Sequence, residues 1–165
     1  MNTIDLLLDR LRYARQWTLS LLADIDERDW FNPPRPGLGH VAWQVGHIAS
    51  SEIVLVHMRC FDRPYADCAP DRYQSLFGRG SKPVSDRTAY PPVAEIRAFF
   101  DRVQQEALAL VAALPESRLP EPTHGDPHPM FTHKGGAIGM AAMHEAFHAG
   151  QIALTRRLAG KAPLR

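Results

Sequence analysis

Apolar residues recur along this chain at intervals of three and four, the spacing of one face of an α-helix. In a first segment, from about Ile4 to Ile25, they are Ile4, Leu7, Leu8, Leu11, Ala14, Leu22 and Ile25. Asn32-Pro33-Pro34-Arg35-Pro36-Gly37 then breaks the pattern, because proline lacks an amide hydrogen and clashes with the preceding turn. A second helix is predicted from about Leu38 to Phe61, with Val41, Val45, Ile48 and Val56 along one side. The third opens at Pro92 and ends near Leu114, its stripe formed by Val93, Ile96, Phe99, Phe100, Val103, Ala107, Leu110 and Val111. The fourth spans about Lys134 to Leu158, with Gly160 as its C-terminal stop. No strand-like alternation of useful length and no internal repeat accompany these helices.

Two irregular connections separate the later helices. Asp62 to Pro91 holds Pro64, Pro70, Pro83 and Pro91 with Gly78 and Gly80. It is long for a structureless loop, so short helical pieces and a role in covering a site are expected of it. Pro115 to His133 is rich in proline and histidine. The fold class that follows is all-α: a four-helix bundle with a long crossover between the second and third helices, in one domain covering residues 1–165.

Charge changes this picture little. Lys and Arg number 19 against 18 Asp and Glu, a net charge of +1, and no basic block stands out. Nucleic-acid binding by bulk charge is therefore not supported. Asp5, Asp9, Arg10 and Arg12 interrupt the N-terminal apolar positions, unlike a secretory leader, and no apolar run has membrane-spanning length. Cys60 and Cys68 are too few for a disulfide framework and lack zinc-finger spacing. A cytoplasmic protein with two reduced thiols, and neither nucleic acid nor membrane as partner, is expected.

The candidate chemistry lies in the histidines. His144 and His148 are four residues apart, so on a helix they stack on one face and can address one ion. Imidazole is a common ligand for zinc, nickel, copper and iron. Ala137, Met140, Ala141, His144, His148, Gln151, Thr155 and Leu158 share one stripe, which is expected to face the bundle interior. Histidines there need partners, because unsatisfied buried polar groups are costly. In the second helix His40, Trp43 and His47 share a stripe. His47, near mid-helix, has the better reach to a core site; a core histidine bonded to a neighbour is the alternative. His40, near the helix start, reads as a capping or surface residue. Gln151 is a candidate catalytic residue, either beside the metal or orienting a ligand; an amide bonded to a neighbouring helix is the other reading. Glu52 lies about 140° around the helix from His47 and reads as a surface or supporting carboxylate. His124 and His128 read as solvated loop residues, while His133 would approach the metal's open side if the last helix began early.

His144-Glu145-Ala146-Phe147-His148 matches the zinc-protease pattern H-E-x-x-H. The context opposes that reading. No Asp or Glu follows Glu145, and the extended pattern's glycine and histidine are Gln151 and Leu154 here.

The segment His40-Val41-Ala42-Trp43-Gln44-Val45-Gly46-His47-Ile48-Ala49, with His144-Glu145-Ala146-Phe147-His148-Ala149-Gly150-Gln151-Ile152 far downstream, resembles the DinB-like superfamily. The resemblance extends over nearly the whole chain. It implies a four-helix bundle with a three-histidine metal site that maps onto His47, His144 and His148. It also implies a divalent ion, zinc or nickel with iron as an alternative. Some relatives are metal-dependent transferases of low-molecular-weight thiols such as mycothiol or bacillithiol. A thiol-dependent S-transferase acting on a small-molecule substrate is thus one expectation. The other is a non-catalytic metal-binding or stress-response protein whose metal is structural.

Ala142, Ala146, Ala149 and Ala153 form a small-residue stripe predicted to lie opposite the histidines. Close approach by a second copy, giving a homodimer, is one explanation; the high helix propensity of alanine is the other.

Overall fold

The structure, a computed structural model, describes residues 2–164. Four long helical runs pack side by side, as the periodicity predicts. Helix α1 is Thr3–Leu22, opened by a capping box between Asn2 and Asp5. Helix α2, Val41–Glu52, continues through a π-helical stretch, Ile53–Met58, into the short α3, Arg59–Phe61. Asp62, in the left-handed conformation at φ 53°, ends that run. The crossover folds into two short helices, α4 (Tyr65–Cys68) and α5 (Asp71–Phe77). Helix α6 is Val93–Ala112 and α7 is Lys134–Leu158. Gly160, at φ 82°, stops α7 where expected. No strand occurs among the described residues, and no helix is long and apolar enough to cross a membrane.

The bundle interior has two apolar halves with a polar layer between them. One half contains Leu21, Leu22, Ile48, Ile53, Phe100, Val103, Ala149 and Ile152. The other contains Leu8, Leu11, Val56, Ala107, Val111, Ile138 and Ala142. Between them each long helix contributes a buried polar residue: Arg15 from α1, Glu52 from α2, Gln104 from α6 and Glu145 from α7. Arg15 joins these helices. Its Nε donates to Glu145 at 2.9 Å, its second terminal nitrogen to Glu52 at 3.2 Å, and its first to the Phe100 carbonyl at 2.8 Å. The guanidinium also lies 3.3 Å from the Phe100 ring centroid, a cation–π contact. Gln104 donates to the Leu11 carbonyl at 3.1 Å. Removing the guanidinium would leave two carboxyl groups buried without a counter-charge, a change that costs on the order of 3–5 kcal/mol.

This layer revises the expected orientation of α7. The inward face is Ile138, Ala142, Glu145, Ala149, Ile152 and Arg156, all buried. The predicted stripe is only partly interior: Ala137, Ala141 and His148 are buried, His144 is half-buried, and Gln151 and Leu158 are exposed. Arginine at position 15 accounts for the rotation, because it draws Glu145 to the centre. Glu52 is likewise fully interior, not at the surface. The alanine stripe is also reassigned. Ala142 packs in the same apolar half as Leu8 and Leu11 of α1, Ala149 is fully buried, and Ala153 packs against the other half. The small residues thus admit neighbouring helices of the same chain, and Ala146 alone of the four is exposed.

One guanidinium faces two carboxyl groups in this layer. Burial pushes Glu52 up to about 7, against the opposing attraction of Arg15, and Glu52 Oε1 has no hydrogen-bond partner. A carboxyl group whose pKa is raised by folding keeps its proton while the unfolded chain loses it. Its contribution to stability is therefore full below pH 4.5 and falls as pH rises to about 7, by at most ~3 kcal/mol. Urea unfolding of wild type and Glu52→Gln at pH 5 and pH 8 reads this directly. Wild type should lose stability relative to the variant between the two pH values, and parallel profiles would contradict the buried, protonated carboxyl.

Candidate metal centre

The groove between α2 and α7 brings the three predicted ligands together. His47, His144 and His148 each offer a ring nitrogen, and these nitrogens lie within 4.8 Å of one another. Ring centroids are 5.1 Å apart for His47 and His144, 4.8 Å for His47 and His148, and 4.5 Å for His144 and His148. Nitrogens on one zinc ion, at 2.0–2.1 Å each in tetrahedral geometry, stand about 3.4 Å apart. Small ring rotations would suffice to close the cluster on an ion.

Two of the rings are held in a defined tautomer. His47 Nδ1 is 2.6 Å from the Phe77 carbonyl. A carbonyl only accepts, so Nδ1 carries the hydrogen and Nε2 keeps its lone pair. Phe77 is the last residue of α5, where helix carbonyls lack intrahelical partners. The packing there is tight: a Cβ added at Gly46 would fall 2.4 Å from the Phe77 ring, so glycine lets α5 dock beside His47. The Trp43 indole stacks on the His47 imidazole at 4.6 Å and 8°, and Trp43 Nε1 donates to Ser81 at 3.0 Å. The crossover therefore covers the site, as its length suggested.

His148 is oriented through glutamines. Its Nδ1 donates to Gln44 Oε1, and Gln44 Nε2 donates to Gln151 Oε1 at 2.7 Å. The Gln44 amide is thereby set with its oxygen toward the histidine, which again leaves Nε2 free. Gln151 is exposed and lies on the far side of Gln44. Its side chain bonds to a neighbouring helix through Gln44, and Gln44 makes the contact to His148. Sequence reasoning passed over Gln44, although it stands three residues before His47 and is buried. His144 makes no hydrogen bond among the described residues, so neither ring nitrogen is engaged.

The electrostatics favour neutral imidazoles. Burial, with His47 adding a smaller effect, pushes His144 down to about 4. Burial, then His144 and His47, pushes His148 down to about 3. Burial lowers His47 as well, against its bond to Phe77. Neutral nitrogens with free lone pairs are what a transition metal requires. No fourth His, Cys, Asp or Glu joins the cluster among the described residues. Beside it opens a cavity of about 370 Å³ that reaches His47 and His144.

The remaining histidines have other positions. His40 is the N-cap of α2: Nδ1 accepts from the Trp43 amide at 3.1 Å and Nε2 donates to the Val84 carbonyl at 3.0 Å. It caps as expected, but in the interior, not at the surface. His133 caps α7 through Gly136 at 3.0 Å. It lines a separate cleft with Leu7 and Leu119, which removes it from the metal's open side. His124 is exposed, 3.8 Å from Asp62, whereas His128 lines the cavity beside the cluster. His57, which the sequence pattern did not single out, is fully buried beside Cys68. Both cysteines are free and buried, and burial raises both thiols, Cys60 to about 12. Glu145 faces Arg15, so the H-E-x-x-H match lacks its catalytic base.

Comparison with known proteins accords with this architecture. A crystal structure of a conserved protein from Enterococcus faecalis superposes with a TM-score of 0.70 at 18% identity, covering 98% of this chain and 99% of that one. At that identity the likeness concerns the fold. No curated protein matches the sequence. Residues 10–152 match the family model of the DinB superfamily, and the chain belongs to that superfamily.

Proposed function

We propose that this protein is a metal-dependent enzyme, a thiol S-transferase that binds a divalent ion, zinc or nickel, through His47, His144 and His148. The supporting observation is the cluster's open side: three neutral imidazoles converge next to a cavity, with no fourth protein ligand among the described residues. Catalytic metal sites keep such a position open, whereas structural sites close it. A divalent ion held there would lower the pKa of a thiol brought against it and favour the thiolate. Phe77 and Trp43 fix the His47 ring, and Gln44 fixes His148, so these residues set the direction of the donor nitrogens. The cavity gives a small-molecule thiol or electrophile access to that centre. A purely structural metal, in a non-catalytic metal-binding or stress-response protein, is the competing reading.

Untagged protein should carry about one zinc or nickel per chain by elemental analysis, and His144→Ala should lose it while retaining its helical circular dichroism. The loaded protein should conjugate cysteine, mycothiol or bacillithiol to members of an electrophile panel, with turnover that chelation abolishes. Bound metal without thiol-dependent turnover would favour the structural reading, and wild type without metal would overturn the site.

The lowered histidine pKa values give a pH signature. A histidine of pKa 6.5 is about 90% protonated at pH 5.5, but His144 and His148 remain neutral there. Bound metal should therefore persist in equilibrium dialysis at pH 5.5. In the metal-free protein the His144 and His148 ring signals should not titrate between pH 8 and 5.5 by NMR, and a midpoint near 6.5 would show that these imidazoles titrate like exposed ones.

A further inference from the structure

The cavity beside the histidine cluster is strongly one-sided in charge. Arg59 and Arg79 line it together with His128, and no Asp or Glu does. Neither arginine makes an ion pair among the described residues. Arg59 instead donates to the Asp126 carbonyl at 2.8 Å, a bond that positions the guanidinium without neutralising it. His128 stacks on Phe131 at 4.1 Å and 13°. Its Nδ1 accepts from the Met130 amide at 3.2 Å, so the neutral ring carries its hydrogen on Nε2 as a further donor. Burial lowers its pKa, and the charges of Arg59 and Arg79 lower it further. The rest of the wall includes Val54, Met130 and Met140.

Unpaired cations in a cleft with apolar walls concentrate positive potential and attract anions. The guanidinium fork matches a carboxylate in geometry as well as charge. Thioether side chains adapt their shape to an apolar ligand. We infer that this cavity binds a small organic carboxylate, the anionic group held by Arg59 and Arg79 and the apolar body against Val54, Met130 and Met140. His47 and His144 form one wall of the same cavity, so the ligand's remaining atoms lie next to the metal centre. The inference rests on the enzymatic reading for its purpose: it names the class of substrate that reading requires. Carboxylate binding itself needs no metal.

Hexanoate and hexanamide share an apolar body and differ in charge, and either can be titrated by NMR chemical shift at pH 8 and low salt. Both metal-loaded and EDTA-treated protein are used. Hexanoate should bind roughly tenfold more tightly than hexanamide in both forms, the scale of one charge-assisted interaction. Arg79→Gln, at an exposed position without structural partners, should remove most of that preference and leave hexanamide binding unchanged. Arg59→Lys keeps the charge but not the fork and should weaken hexanoate alone. Equal affinity for the two probes would overturn the inference. So would a preference confined to metal-loaded protein and insensitive to Arg79→Gln, since the carboxylate would then sit on the ion. If the protein lacks metal or turnover but the EDTA-treated form still prefers hexanoate, the proposed transferase fails and the carboxylate site stands.

Discussion

Arg15 is the interaction on which the geometry of this bundle depends. Apolar faces pack with tolerance, since one buried leucine can substitute for another along a helix. A guanidinium with fixed donors has no such freedom. Arg15 satisfies Glu145 on α7, Glu52 on α2 and the Phe100 carbonyl on α6, and any slide or rotation of a helix would leave a buried charge unpaired. Buried ion pairs are weak sources of net stability but suit the selection of one register over others. The consequence for the site is direct. Glu145 follows His144 and precedes His148 by three residues, and Glu52 lies five after His47. Fixing the two glutamates fixes the side of α2 and α7 on which the histidines emerge.

The histidines consequently stand at the margin of the buried face, not at its centre. Burial lowers the proton affinity of all three, and His47 and His144 open onto a cavity. Each fixed ring is held from outside the polar layer, His47 by the last carbonyl of α5 and His148 by Gln44. The crossover contributes none of the three histidines, yet it places Phe77, Ser81 and Arg79 beside them or their cavity.

Much of this was legible in the sequence. The four helices, the long crossover and its short helical pieces follow from spacing and from the placement of proline and glycine. The three histidines follow from helical spacing together with the family's motif. The rotation of α7 did not follow, because apolar residues on that helix are spread around its circumference and alanine marks no face. Its real signal was polar. Arg15, Glu52, Gln104 and Glu145 each occupy the interior phase of their helices, and the apolar stripe of α1 is interrupted between Ala14 and Leu22. A charged residue on an inner face gains meaning only when its partners on other helices are found, and single-helix periodicity cannot supply them. The Phe77 contact was invisible for a different reason: it is a backbone carbonyl, which any residue could present. The π-helical turn after Glu52 has no evident signal in the residues that form it.

The central claim is that three imidazoles, His47 and His148 through Nε2 and His144 through a ring nitrogen, converge on one divalent ion at the α2–α7 groove. Anomalous diffraction from crystals of the metal-loaded protein, recorded on both sides of the zinc and nickel absorption edges, tests it most directly. The account predicts one strong peak about 2.1 Å from Nε2 of His47, Nε2 of His148 and one ring nitrogen of His144, with His47 Nδ1 still on the Phe77 carbonyl and His148 Nδ1 still on Gln44. A peak at other residues, ligation through Nδ1 of His47 or His148, or a fully loaded crystal with no density between these rings would contradict it.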